Sequence, residues 1–219
     1  MKKLVIAIDG PSGAGKGTVS RALAAALGYR HIDTGAMYRA VGWKAHHDGI
    51  PLDDEAAVAR LARRADITVE GGVVAIDGHD VTRAIRTPDV DKIASTVARL
   101  AQVREVLVTR QRALGEHGGV VMEGRDIGSV VFPNAEVKIY LDASAEERAR
   151  RRAHDAAHAG GQGGQVAVAA AIQARDLSDT TRAASPLALA PGAVHIDTTD
   201  MSIETVVERV LGLVQSKLH

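Results

Sequence analysis

The sequence contains no cysteine, and aromatic residues make up only 2% of it. Without cysteine the chain has no disulfide framework and no thiolate chemistry. With so few aromatic side chains, the core has to be built from alanine, valine, leucine and isoleucine. At 219 residues, the chain can still bury roughly 70% of the surface that its unfolded form exposes, so a substantial core is possible.

The sequence also lacks an excess of either charge and lacks a long apolar run. Lysine plus arginine and aspartate plus glutamate each total 27, which argues against a general binder of nucleic-acid polymers. No apolar stretch approaches the ~20 residues of a membrane span. Residues 1–9 have neither a long hydrophobic region nor a small-residue cleavage site, so they do not resemble a signal peptide. We therefore expect a cytoplasmic protein with no membrane partner.

The apolar pattern of the chain predicts an α/β fold. Residues 4–8 form a continuous apolar run, as expected for a strand buried on both faces of a parallel sheet. The helical pattern that follows, at 18–27, ends at a glycine. Other strands are predicted at 31–33, 120–122, 137–141 and 194–197. Other helices are predicted at 35–48, 54–65, 89–115, 166–181 and 202–217, and a further helix begins after the capping residue Ser144. Asp53 is the predicted cap of the helix at 54–65, and the helix at 89–115 is expected to break near 101–102.

Two segments look inserted into this alternation. Within 61–88, the runs at 67–70 and 73–76 flank two glycines and predict a β-hairpin. The second segment, 148–182, begins as a basic helix and contains the run A-G-G-Q-G-G-Q at 159–165, which is flexible by composition. We expect the two segments to be mobile substrate-binding and lid elements.

The turn D-G-P-S-G-A-G-K-G-T joins the first strand to the first helix. The spacing from Gly10 to Gly15 and Lys16 is typical of a loop whose backbone N–H groups enclose phosphate beside the positive N-terminus of a helix. Lys16 adds a charge at the β- and γ-phosphates. The next position, where Ser or Thr commonly meets Mg²⁺, is Gly17, and Thr18 follows. We expect Mg²⁺ to be held by the ATP phosphates, Thr18 and waters.

Several segments together resemble the bacterial cytidylate kinases. They are the phosphate loop, D-T-G-A-M-Y-R at 33–39, E-G-R-D-I-G-S-V-V-F-P at 123–133, V-K-I-Y-L-D-A-S-A-E-E-R at 137–148 and R-D-x-x-D-x-x-R at 175–182. The resemblance implies a P-loop NTPase three-layer fold with a central parallel sheet. It also implies a single kinase domain over 1–219, with an antiparallel insertion that binds the nucleoside monophosphate at about 35–100 and a helical lid at about 148–182.

The implied reaction is ATP + (d)CMP → ADP + (d)CDP, with Mg²⁺. Transfer between two nucleotides needs cations to screen phosphate repulsion, and it needs no general base, because a monophosphate with a second pKa near ~6 is mostly ionised at pH 7. The resemblance assigns catalysis to Lys16, Arg39, Arg125 and Arg182. It assigns ATP binding to Gly10, Pro11, Ser12, Gly13, Ala14, Gly15, Lys16, Gly17, Thr18, Arg148 and Arg152. It assigns CMP binding to Thr34, Arg39, Ser95, Arg104, Arg125, Asp126, Arg175, Asp179 and Arg182.

The resemblance also divides the acceptor site by chemistry. A carboxylate accepts a hydrogen bond from the 4-amino group of cytosine, and this role goes to Asp126. Ser95 and Arg104 would satisfy the N3 and O2 acceptors, while Arg175 and Asp179 would touch the sugar. Each assignment has a structural alternative. Asp126 would form an ion pair with its sequence neighbour Arg125, and each arginine would form an ion pair on the surface.

A helix groups Arg148, Arg151 and Arg152 on one face, as expected for a lid that closes over ATP. A solvated basic helix is the alternative. His154 and His158 are spaced i, i+4, but two ligands without a third make a weak metal site, and solvated residues are the preferred interpretation.

Two other functions stay open at this point. One is another P-loop kinase of small acceptors, of the adenylate or uridylate type, and the other is a non-catalytic ATP-binding sensor. A sensor need not keep an acceptor site, so Arg39, Arg125, Asp126 and Arg182 favour the enzyme. Because no long unexplained apolar stripe is visible, we expect a monomer whose partners are ATP, CMP and dCMP.

Overall fold

A computed structural model describes residues 3–154 and 165–218 of the chain. Its strands are β1 (Val5–Asp9), β2 (Arg30–Asp33), β3 (Ile67–Glu70), β4 (Val73–Ile76), β5 (His79–Asp80), β6 (Val120–Gly124), β7 (Val137–Asp142) and β8 (Val194–Asp197). Its helices are α1 (Lys16–Leu27), α2 (Thr34–His47), α3 (Glu55–Arg64), α4 (Pro88–Val97), α5 (Ala101–Gly115), α6 (Ala145–His154), α7 (Gln165–Thr181) and α8 (Ile203–Leu218). A π-helical turn, Ile127–Val131, follows β6. The predicted flexible run 159–165 lies outside the described residues, apart from the backbone of Gln165.

The larger sheet is parallel throughout and has the strand order β2-β6-β1-β7-β8. Successive side chains of its central strand β1 enter two different cores. Ile6 and Ile8 pack with α1 and α8, whereas Val5 and Ala7 pack with α5 and the π-helical turn. Helices therefore cover both faces of the sheet. This confirms the predicted strand buried on both sides and the three-layer arrangement.

The second sheet is the small antiparallel β3-β4-β5. Its first two strands are the predicted hairpin, and its apolar residues pack against α2. The third strand, His79–Asp80, was not predicted. The helical stretch at 89–115 is interrupted, since α4 ends at Val97 and Leu100 is the N-cap of α5.

One predicted helix cap is displaced by a single residue. The carboxylate of Asp54 accepts a hydrogen bond from Ala57 N at 2.9 Å, so α3 begins at Glu55. The prediction that Asp53 caps this helix is wrong. Both aspartates suit the role chemically, and the choice depends on where the backbone leaves its extended conformation.

The glycine-rich turn is pressed between β7 and α6. Gly10 has a φ of +145°, and a Cβ there would lie 1.9 Å from the carbonyl oxygen of Leu141. A Cβ on Gly13, whose φ is +81°, would lie 2.9 Å from the Cβ of Arg148. Glycine is required at both positions by backbone conformation and by space, so the sheet and α6 together fix the path of the loop.

The last residue of β1, Asp9, is a buried carboxylate. Its two oxygens accept hydrogen bonds from the backbone N–H groups of Ile127 at 2.8 Å and Gly128 at 2.7 Å. Burial raises the pKa of Asp9 to about 6 in spite of these two donors. The side chain therefore joins the end of the central strand to the segment that follows β6.

We predict a pH-dependent contribution of Asp9 to stability. The pKa of Asp9 in the folded protein, about 6, exceeds its ordinary value of 3.8, so between these values the folded state holds a proton that the unfolded chain has released. The free energy of unfolding then decreases as pH rises from about 4 to above 6, by at most about 3 kcal/mol for this group.

Chemical denaturation of the wild type and of Asp9→Asn across this pH range checks the prediction. Because the amide does not titrate, the unfolding free energy of the wild type relative to the variant should decrease with rising pH. A difference that stays constant with pH would contradict it.

Candidate active site

The glycine-rich turn and the first turn of α1 form one wall of a cavity of about 820 Å³. Gly15, with a φ of 87°, is the N-cap of α1, and Lys16 is the first residue of that helix. The Lys16 ammonium donates to the carbonyl oxygen of Pro11 at 2.6 Å. Burial and the charge of Arg125 lower the pKa of Lys16 well below its usual value. An anion in the cavity would restore the electrostatic support that this buried ammonium lacks.

Arginine dominates the rest of the cavity wall. The arginines that line it are Arg21, Arg39, Arg86, Arg125, Arg150, Arg151, Arg152 and Arg175. They come from α1, α2, the loop before α4, the end of β6, α6 and α7. Such a concentration of cations, next to a helix N-terminus, is suited to a ligand with several phosphate groups.

On the α2 side of the cavity, Arg39 is held by Asp33. The Arg39 guanidinium lies 2.8 Å from one carboxylate oxygen of Asp33, while the other oxygen accepts from Ala36 N at 3.0 Å and caps the helix. Burial alone would raise the pKa of Asp33, but the charges of Arg39 and Arg86 outweigh it and lower the pKa. One carboxylate thus begins the helix and orients the arginine that the helix carries.

The segment after β6 carries two further pairs. Arg125 donates to Asp179 of α7 at 2.8 Å, and Arg104 of α5 forms a buried ion pair with Asp126. Arg182 lies 3.6 Å from Asp126 and 3.9 Å from Asp179. Burial raises the pKa of Asp126 although arginines surround it. The structure therefore brings these five predicted residues into one cluster.

The interpretation of these residues as solvent-exposed surface ion pairs is not supported. Arg104 and Arg182 are 3% and 4% exposed, and the Arg104 guanidinium also stacks over the ring of Tyr38 at 5.6 Å from its centroid. Asp126 pairs with Arg104 rather than with its sequence neighbour Arg125. The pairs exist, but they are built into the protein interior.

Two further predicted acceptor residues, Ser95 and Arg175, lie where α4 approaches α7. Asp91 of α4 forms ion pairs with Arg152 of α6 and with Arg175 of α7, the latter at 3.1 Å. Ser95 donates a hydrogen bond to the hydroxyl of Ser178 at 3.2 Å. The insertion and the two predicted lid helices thus meet at Asp91.

The three arginines predicted to share a face of α6 have different surroundings. Arg148 is buried and donates to the carbonyl oxygens of Ala143 at 3.0 Å and Ser12 at 3.1 Å. It does not line the 820 Å³ cavity, whereas Arg151 and Arg152 do. The alternative of a solvated basic helix does not fit Arg148. Its side chain holds the backbone of the phosphate loop, at Ser12, from outside the cavity.

Sequence reasoning missed Glu123, the fourth residue of β6. Its Oε1 lies 2.8 Å from His31 Nε2, and it is 3.3 Å from the position that a Cβ on Gly17 would take. The strand prediction ended at residue 122, two positions before the end of β6. A longer strand would have paired Glu123 with Ile8, next to the phosphate loop.

The predicted nucleotide contacts Thr34 and Thr18 differ in position. The Thr34 hydroxyl is buried and donates to the carbonyl oxygen of Glu123 at 2.7 Å, so it ties α2 to β6. Thr18 is exposed on α1 and lines the cavity. Among the described residues, no three His, Asp or Glu side chains group as metal ligands, and His158 lies outside those residues. No described helix is long and apolar enough to cross a membrane.

Comparison with known proteins agrees with this geometry. A sequence profile described as "Cytidylate kinase" matches residues 6–216. Curated relatives named cytidylate kinase include those of Pelotomaculum thermopropionicum, 51% identical over 216 residues with 96% of each chain covered, and Bacillus subtilis, 47% identical over 220 residues with 99% of this chain and 98% of the relative covered.

Solved structures give the fold. A gluconokinase from Sinorhizobium meliloti matches with a TM-score of 0.52 at 17% identity, covering 99% of this chain and 94% of the other. A shikimate kinase from Bacteroides thetaiotaomicron matches with a TM-score of 0.52 at 13% identity, covering 97% and 98%. The match across almost the whole sequence and the arginine-lined cavity lead to the same conclusion: the chain belongs to the cytidylate kinase family.

Proposed function

We propose that the chain transfers the terminal phosphoryl group of ATP to CMP and dCMP. The observation that carries this proposal is a single cavity with the phosphate loop at one wall and the buried cluster of Arg104, Asp126 and Arg182 beside it. The curated relatives are named for the same activity. The donor phosphates would lie on the loop and α1, and the acceptor phosphate would lie among Arg39, Arg125 and Arg182.

The protein has to reduce the electrostatic repulsion between the donor and acceptor phosphates and to align them. The acceptor phosphate is already ionised near neutral pH, so attack is limited by repulsion between two polyanions and by their alignment. Lys16 and the cavity arginines reduce that repulsion. Because the arginines are already held by aspartates, they are oriented before substrate arrives and need little reorganisation in the transition state.

Base selection follows from the pairing of Arg104 with Asp126. Asp126 offers an acceptor and Arg104 offers donors, which complements the 4-amino donor and the N3 and O2 acceptors of cytosine. Uracil presents a carbonyl at position 4 and an N–H at position 3, so both contacts would be mismatched. This arrangement favours the cytidylate reaction over a uridylate-type kinase, and a sensor of ATP would have no use for it.

Magnesium fits the residues at the loop. The carboxylate of Glu123 and the hydroxyl of Thr18 both line the cavity beside Gly17, and oxygen ligands are those that Mg²⁺ prefers. Glu123 would add to the ligand set expected from the sequence, Thr18 with phosphates and waters. When bound, the ion supplies neutralisation of charge on the donor phosphates.

We also propose that 1–219 is one kinase domain in which 35–100 is the acceptor-binding insertion and 148–182 is the lid. The ion pairs from Asp91 to Arg152 and Arg175 support this division, because they join the insertion to α6 and α7. Arg151 and Arg152, which line the cavity, would then contact the donor, and Arg148 would hold the loop backbone. Monomeric state and cytoplasmic location stay predictions.

Replacing Lys16 with alanine should lower kcat for CMP phosphorylation by about 10²-fold or more, because a positioned cation at the transferred phosphate is lost. Lys217→Ala, on the exposed last turn of α8, is the matched control and should keep wild-type turnover. A coupled ADP-release assay measures both. Normal turnover in Lys16→Ala would contradict the assignment of the phosphate loop.

Replacing Asp126 with alanine should reduce kcat/KM for CMP by about ten- to a hundred-fold, since a hydrogen bond to a charged group is lost. UMP should be affected much less, because its 4-carbonyl no longer meets a negative charge. Arg125→Ala should instead weaken CMP and UMP together, since both carry the same phosphate. Equal losses of kcat/KM for CMP and UMP in Asp126→Ala would show that the residue does not distinguish the bases. Activity of the wild type with AMP in the same assay tests the alternative of an adenylate-type kinase.

Lid closure predicts that hydrogen exchange in α6 and α7 slows when CMP and a non-hydrolysable ATP analogue are added together, since both helices would gain phosphate contacts. Exchange in the C-terminal half of α8, from Val210 onward, should not change, because none of its residues lines the cavity. Equal exchange in α6 and α7 with and without both ligands would contradict a lid.

A further inference from the structure

The proposed reaction leaves the buried carboxylate of Asp9 without a role. Asp9 is 3% exposed, does not line the 820 Å³ cavity and forms no ion pair with a described basic residue. A carboxylate in such surroundings is costly to bury, and its raised pKa of about 6 reflects that cost. The two backbone N–H groups that it accepts from are the whole of its described hydrogen bonding.

These two donors belong to the segment that carries the acceptor site. The N–H groups of Ile127 and Gly128 come directly after Arg125 and Asp126, which are proposed to hold the acceptor phosphate and the base. Asp9 itself directly precedes Gly10, the first residue of the donor phosphate loop. A single short side chain therefore links the segment before the donor loop to the segment that carries the acceptor residues.

No backbone pairing could make this connection. The ladder between β1 and β6 ends where Asp9 pairs with Gly124, and the chain then leaves the sheet to form Arg125, Asp126 and the π-helical turn. Beyond Gly124, the hydrogen bonds to the Asp9 carboxylate connect this segment to β1, as backbone hydrogen bonds do within the sheet. Because it bonds two successive N–H groups, it fixes both the distance and the orientation of the segment relative to β1.

We propose that Asp9 is a positioning residue that sets the separation between the donor phosphate loop and the acceptor pair Arg125–Asp126. The inference rests on the proposed function and deepens it, since transfer requires the two phosphates to be aligned as well as bound. A misplacement of about 1 Å can cost 10²-fold in rate without loss of either ligand. Asp9 is therefore expected to act on alignment rather than on the affinity for either nucleotide alone.

The test uses a ligand that spans both halves of the cavity: adenosine and cytidine joined through five phosphates. Calorimetry gives the Kd of this bisubstrate compound, of CMP and of a non-hydrolysable ATP analogue. The variants are Asp9→Asn, which turns one acceptor into a donor, and Asp9→Glu, which keeps the carboxylate but lengthens the link by one methylene. Val210→Ala, in α8 and buried in the core that β1 shares, controls for general loss of stability.

We expect both Asp9 variants to bind CMP and the ATP analogue nearly as the wild type does. For each variant, the fold-loss in affinity for CMP alone can be multiplied by the fold-loss for the ATP analogue alone. The fold-loss in affinity for the bisubstrate compound should be well above this product, and kcat should fall by about 10²-fold. In Val210→Ala the bisubstrate factor should equal that product. If Asp9→Asn fails to fold, Asp9→Glu carries the comparison, because it keeps both charge and acceptors.

A bisubstrate factor equal to the product of the single-ligand factors in the folded Asp9 variants would overturn the inference. So would the same excess loss in Val210→Ala, since that would make it a general effect of stability. Failure of the proposed function would look different: the wild type itself would not bind CMP, and both proposals would fall together.

Discussion

The structure depends on keeping many positive charges close together around one cavity. Arginines near one another repel strongly where water is scarce, and the lowered pKa of Lys16 shows what burial beside Arg125 does to an unmatched cation. The protein meets this constraint with aspartates placed among the arginines. Asp33 begins α2, Asp91 lies in α4 and Asp179 in α7, so the helices deliver the carboxylates as well as the cations.

The pairing of aspartates with arginines also affects how the site would bind phosphate. A buried pair adds little to stability by itself, because desolvation offsets attraction, yet each carboxylate fixes the direction of a guanidinium. A phosphate that enters among Arg39, Arg125 and Arg182 competes with aspartates that are already present. For each guanidinium, binding would exchange a carboxylate partner for a phosphate partner, so the arginine stays paired with an anion throughout.

Local features were predictable from the sequence, and long-range pairs were not. The phosphate loop and the hairpin depend on glycines and on neighbouring apolar runs, and both were confirmed. The partner of Arg125 lies 54 residues away and that of Arg152 lies 61 residues away, and no periodicity connects such positions. Helical spacing placed Arg148 with its neighbours but could not say that it points inward, because that depends on how α6 packs on the loop.

The central place of β1 in the sheet has a consequence for synthesis of the chain. β1 pairs with β6 and β7 and with no other described strand, and Asp9 finds its first partner 118 residues later. At roughly 5–20 residues per second, translation of those 118 residues takes on the order of ten seconds. For that time the apolar V-I-A-I strand has no strand partner, which leaves it accessible to chaperones and to aggregation while the chain is being made.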